Sequence, residues 1–96
     1  MKKLKVIVID DEMLIRKLIR MKMDTKRLNL EVAGEYANGA AALQELREIR
    51  PDIVISDVMM PRTDGFELCY RIKNDVAVSH IPVVLLTARV DQASSV

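Results

Sequence analysis

Runs of branched apolar residues alternate along this chain with stretches whose apolar positions recur every three or four residues. Leu4 to Ile9, rich in Val and Ile, predicts a strand buried on both faces. From Glu12 to about Asp24, Leu14, Ile15, Leu18 and Ile19 fall on one side and Arg16, Lys17, Arg20 and Lys22 elsewhere, the spacing of an amphipathic helix. Leu30 to Ala37 reads as a second strand, at a sheet edge. Asn38-Gly39 then turns the chain, with Asn38 as N-cap of a helix from Ala40 to Ile49 that stops before Pro51. Ile53 to Ser56 is a third, apolar strand. Asp64-Gly65 opens a third helix with Phe66, Cys69 and Ile72 on one face, and Asp64 suits its cap. Ile81 to Thr87 is a fourth buried strand, with Pro82 tolerated near its start. The tail "ARVDQASSV" leads from a loop toward a further helix.

Strand and helix alternating at this spacing imply an α/β fold: a doubly wound parallel sheet, right-handed crossovers, and helices on both faces. In such sheets ligand sites form beyond the carboxyl ends of the strands, where the strand order reverses. The residues at those ends therefore matter most. The first strand ends in Asp10, Asp11 and Glu12, the third in Asp57, and the fourth in Thr87-Ala88. If the first and third strands are neighbours, these carboxylates converge in one crevice. Converging negative charges raise one another's pKa unless a cation sits among them. A hard divalent ion with oxygen ligands suits the site. Mg²⁺ fits better than Zn²⁺, because neither His80 nor Cys69 lies at these strand ends.

Composition narrows the function classes. The chain has 96 residues, enough for one small domain; half are hydrophobic, 30% are charged, and the net charge is +1. That balance supports neither a disordered chain nor direct nucleic-acid binding. A single cysteine, Cys69, allows no intramolecular disulfide and fits a reducing compartment. "MKKLKVIVIDDE" starts like a signal peptide, but its apolar run is short and acids stand where a small-residue cleavage site belongs. No apolar run reaches membrane-spanning length. A cytoplasmic protein without membrane attachment is the expectation.

"VIDDE", "DIVISDVMMPRTDG" and "IPVVLLTA", in this order and at these positions, resemble the receiver domain of two-component response regulators, a flavodoxin-like family. The likeness runs from Leu4 to about Ala88. It implies that Asp57 accepts a phosphoryl group and also ligates Mg²⁺, that Asp11 binds the ion directly and Asp10 through water, and that the backbone carbonyl of Met59 is a further ligand. It implies that Thr87 contacts a phosphoryl oxygen and that Ala88 leaves room for it. The implied role is signalling rather than catalysis on a separate substrate, and the implied partner is a histidine kinase that donates from its own phosphohistidine. Many receivers are joined to a DNA-binding output domain, so one beyond Val96 is a further expectation.

The chemistry agrees with the residues. A carboxylate nucleophile on phosphorus gives an acyl phosphate. What the protein must add is alignment and charge neutralisation. The new phosphoryl oxygens would then draw the Thr87 hydroxyl and switch its loop.

Other readings stand beside this one. Asp11 or Glu12 can cap the following helix, Thr87 taken alone is a β-favouring residue, and the methionines at 13, 21 and 23 read as helix-face packing. Cys69 reads as an inert core residue and His80 as exposed loop. A nonphosphorylatable interaction scaffold is a second function. A haloacid-dehalogenase-like phosphatase is a third, and it wants an Asp two residues after its nucleophile, where Asp10 is followed by Asp11-Glu12-Met13.

Receivers as a family continue through a fourth helix, a fifth strand ending in Lys-Pro and a fifth helix. This sequence stops at Val96, and its three prolines follow Arg50, Met60 and Ile81. The expectation from sequence is therefore a receiver over residues 1–96 that is incomplete at its C-terminus and lacks the fifth strand and fifth helix. Its fourth strand would be an apolar edge, which favours self-association or a completing chain.

Overall fold

Four strands and three helices alternate along the residues that a computed structural model describes, 2–58 and 65–86. They run β1 (Leu4–Ile9), α1 (Met13–Lys22), β2 (Leu30–Tyr36), α2 (Gly39–Ile49), β3 (Ile53–Asp57), α3 (Gly65–Lys73) and β4 (Val83–Leu86). All strand pairs are parallel and the sheet order is β2-β1-β3-β4, so the order reverses between β1 and β3. The flavodoxin-like arrangement and the edge position of β2 follow the sequence reading.

Alternation along β1 separates two apolar layers. Ile7 and Ile9 point into one, with Ala42 and Leu46 of α2, Leu68 and Ile72 of α3, and Val54, Val78 and Ile81. Val6 and Val8 point into the other, with Leu30 buried beside them and Ile19, Met23, Val32, Ile53 and Ile55 partly buried. Because β1 carries four consecutive buried residues, it serves both layers, which is why its apolar run is unbroken.

Local chemistry sets the boundaries. The Asn38 side chain accepts from the Ala41 N–H at 2.9 Å, the cap that the sequence implies for α2. Arg50 ends that helix in the left-handed region at φ 49°, and Pro51 prevents its continuation. Asp52 fastens the start of β3 to β1: its Oδ2 accepts from the Lys5 N–H at 2.7 Å and its own N–H donates to the Lys5 carbonyl at 2.8 Å.

Several expectations are corrected. No residue of α1 is fully buried: Ile15 and Ile19 are half-buried, with Ile19 packed on the β1 layer, whereas Leu14 (71% exposed) and Leu18 face outward. Met13 and Met21 are exposed too, whereas Met23 packs. On α3 the buried line is Gly65, Leu68 and Ile72, so Phe66 is 65% exposed rather than on the inner face. The rotation follows from Gly65, which lies hard against the end of β3. β4 is half-buried instead of buried, with Val83 packed inward and Val84 and Leu86 exposed. Asp64, Thr87 and the tail beyond it lie outside the described residues.

Candidate functional site at the carboxyl ends of β1 and β3

Strand register brings the predicted acids together. Ile9 pairs with Ser56 across the β1–β3 ladder, so the next residues, Asp10 and Asp57, stand side by side where the strand order reverses. Both are buried, Asp10 at 2% and Asp57 at 8% exposure. Asp11 and Glu12 follow at the surface, and carboxylate oxygens of Asp10, Asp11 and Glu12 lie within 4.8 Å of one another. Glu12, the third acid of the run, has no ligand role in the family resemblance, yet the geometry puts it in the cluster.

The turn is held for a purpose other than helix capping. Glu12 occupies the cap position of α1 and makes no side-chain cap hydrogen bond. Instead its N–H donates to Asp10 Oδ1 at 2.9 Å, and the Asp10 N–H donates to the Tyr36 carbonyl at 3.0 Å. Burial pushes the Asp10 carboxyl above the usual aspartate value of 3.8; the Glu12 N–H opposes this, while the charges of Asp57 and Asp11 add to it. The donor set is oxygen only and anionic, and the excess negative charge is what a hard cation would relieve. The residues present therefore fit Mg²⁺.

On the other side stands Gly65, the first residue of α3, to which the sequence pattern assigns no part in the site. Its N–H donates to the Val58 carbonyl at 2.8 Å. A Cβ here would lie 2.6 Å from the Asp57 carbonyl oxygen and 2.8 Å from the Val58 Cα, so only glycine lets α3 begin this close to the strand end. Ser56, fully buried, donates its hydroxyl to the same Asp57 carbonyl at 3.0 Å. On the far side Asp57 pairs with Leu86, the residue before Thr87, and the Val58 N–H donates to the Leu86 carbonyl at 2.9 Å. Met59, Thr87 and Ala88 themselves lie outside the described residues.

The family model of the response regulator receiver domain matches residues 6–96. The chain belongs to this family. The receiver is 36% identical over 92 residues to the transcriptional regulatory protein ResD of Bacillus subtilis, covering 96% of this chain and 36% of that protein. It is 41% identical over 86 residues to histidine kinase P4 of Formosa agariphila, covering 88% of this chain and 6% of the relative. Among solved structures, the N-terminal domain of a response regulator receiver protein from Methanoculleus marisnigri superposes with a TM-score of 0.77 at 33% identity, over 88% of this chain and 66% of that one. The chemotaxis response regulator CheY4 of Vibrio cholerae gives 0.75 at 28% identity, over 88% and 68%. The receiver thus spans a minor part of the curated relatives' length. Receiver domains bind Mg²⁺ at an acidic cluster, and Asp10, Asp11 and Glu12 form such a cluster here. Receivers interact with histidine kinases and are often joined to output domains. No helix among the described residues is long and apolar enough to cross a membrane.

Proposed function

We propose that this receiver is the phosphoacceptor module of a two-component system, with Asp57 as the acceptor and a histidine kinase as the donor. The observation that carries the reading is the pair of buried carboxylates, Asp10 and Asp57, side by side at the switch in strand order. A carboxylate oxygen of Asp57 attacks phosphorus, a new O–P bond forms, and the P–N bond of the donor phosphohistidine breaks. The departing imidazole takes up a proton. Mg²⁺, when bound, would neutralise the phosphoryl oxygens during the transfer. Asp11 would ligate it directly, Asp10 through water, and the Met59 carbonyl would add a further oxygen. Asp10 and Asp11 would orient the ion, and the buried Ser56 hydroxyl, donating to the Asp57 carbonyl, holds the acceptor's backbone in place. Thr87 would then move to a phosphoryl oxygen, with Ala88 leaving it room, and carry the switch to the β4 loop.

Residues 1–96 act in this reading as a receiver domain in the cytoplasm that relays the signal to an output domain. The exposed apolar side chains of β4, Val84 and Leu86, support a contact there with a second copy or with a completing chain. The test of the central reading is intact mass before and after incubation with Mg²⁺ and a small-molecule phosphodonor. The expected result is a single phosphoryl adduct that requires Mg²⁺ and disappears in Asp57→Asn. No adduct in the unmodified chain with Mg²⁺ bound would favour an interaction scaffold.

A further inference from the structure

We propose that Arg16 is a positioning residue for the metal site: by bridging the Asp10 carbonyl to Glu35 it fixes the peptide from which Asp10 and Asp11 present their carboxylates to Mg²⁺. The inference rests on the metal site proposed above and concerns a side chain that no ligand role includes.

Arg16 stands in the first turn of α1, yet its side chain is only 16% exposed because it lies back over the end of β1. Its Nη1 donates to the Asp10 backbone carbonyl at 2.6 Å, and its Nε donates to Glu35 Oε1 at 3.3 Å. Glu35 is held in turn by Arg20, whose Nη1 donates to Oε2 at 2.5 Å. The Asp10–Asp11 peptide is therefore gripped at its carbonyl, while the Asp10 N–H is tied to Tyr36 and the Asp10 carboxylate to the Glu12 N–H. Groups that orient a ligand without touching the ion commonly matter to affinity nearly as much as the ligands.

A bulge in β2 makes the bridge. Val6 pairs with Val32 but Ile7 pairs with Gly34, so Ala33 is an extra residue in the strand. Leu30 and Val32 share a face with Val6 and Val8; unbroken alternation from them would send Glu35 to the opposite face. The bulge shifts the pairing so that Glu35 stands opposite Val8, on the face where α1 lies. Ala33 and Tyr36 pack instead toward the layer under α2 and α3.

Charge and geometry predict opposite outcomes when Arg16 is removed. A guanidinium beside an acidic cluster competes with a metal ion, so by charge alone its loss tightens Mg²⁺ binding. If Arg16 acts by holding the Asp10 carbonyl, its loss weakens binding. Mg²⁺ titration calorimetry on the unmodified chain, Arg16→Met, Arg16→Lys and Glu35→Gln decides between them, at a temperature where circular dichroism finds each variant fully folded. Expected is a rise of about tenfold in the Mg²⁺ Kd for Arg16→Met. Arg16→Lys should recover only part of it, since one ammonium cannot present the same fork to carbonyl and carboxylate. Glu35→Gln should weaken binding by less, while Ile72→Val, which loses core packing far from the strand ends, should keep the original Kd. Unchanged or tighter binding in Arg16→Met overturns the proposal while the metal site stands. An unmodified chain that takes up no Mg²⁺ overturns both.

Discussion

The two faces of the sheet support the two buried carboxylates by different means. Under α2 and α3 a continuous set of fully buried side chains, Ile7, Ile9, Leu46, Val54, Leu68 and Ile72 among them, presses Gly65 against the carbonyl of Asp57. On the α1 side Val6, Val8 and Leu30 are buried, the rest is partly open, and Asp10 is held by polar bonds from Arg16, Glu12 and its own N–H. Packing is non-directional and delivers stability, whereas hydrogen bonds fix orientation and deliver little net energy. The backbone of Asp57 is therefore held by the close approach of α3, whereas Asp10 is held by directed bonds on the α1 side, where orientation matters more than burial.

Mutation should break this contrast in a graded way. Leu46→Ala, in the densely packed layer, is expected to cost about 2–5 kcal/mol in chemical denaturation; a loss under 1 kcal/mol would mean that the two faces are not so different. Gly65→Ala forces a Cβ into the Asp57 carbonyl and is expected to cost about 1–3 kcal/mol, and to reduce phosphoryl uptake even at temperatures where the variant is folded. On the opposite face, Leu14→Gln should change stability by less than about 0.5 kcal/mol, because the side chain is already in water.

Two carboxylates sharpen the comparison through pH. Asp10 titrates above 3.8 in the fold, so the native state holds its proton more tightly than the unfolded chain does. Stability should then fall as pH rises from 3.8 through that raised value, and the ionised group costs stability at neutral pH. Asp10→Asn keeps an oxygen for the Glu12 N–H and removes the charge. It should raise the melting temperature of the metal-free protein at pH 7 and flatten that step; a lower melting temperature would refute the repulsion argument. Asp75, on the side of α2 and α3, behaves oppositely. The hydrogen bond from Arg47, at 3.0 Å, together with the Ala77 N–H, holds its carboxyl below 3.8. Its contribution is present above 3.8 and is lost as pH falls through the lowered value. Arg47 is largely exposed, so salt should screen the effect, and Arg47→Met should alter the acid limb of the melting curve only slightly.

Much of the site was legible before the fold. The acids of "VIVIDDE" and the lone acid of "DIVISD" end apolar strands, and that abrupt change from buried to charged is a local signal that survives folding unchanged. The Asn38 cap and the exposed position of His80 were equally local. Arg16 and Glu35 could not be paired in advance. In sequence Arg16 is one of several cations on the polar side of a helix, and Glu35 is a polar residue in an edge strand.

What the sequence determined by itself was the alternation of strands and helices, the family signature, and the acids at the strand ends. Each of these depends on residues near one another along the chain, through periodicity, capping and the cost of burying charge. Only the tertiary structure decided that Ala33 bulges and turns Glu35 toward α1, that α3 rotates to put Phe66 outside, and that Gly65 must have no side chain. Those outcomes depend on register and on contacts between segments far apart in sequence, where a shift of one residue exchanges one face of a strand for the other.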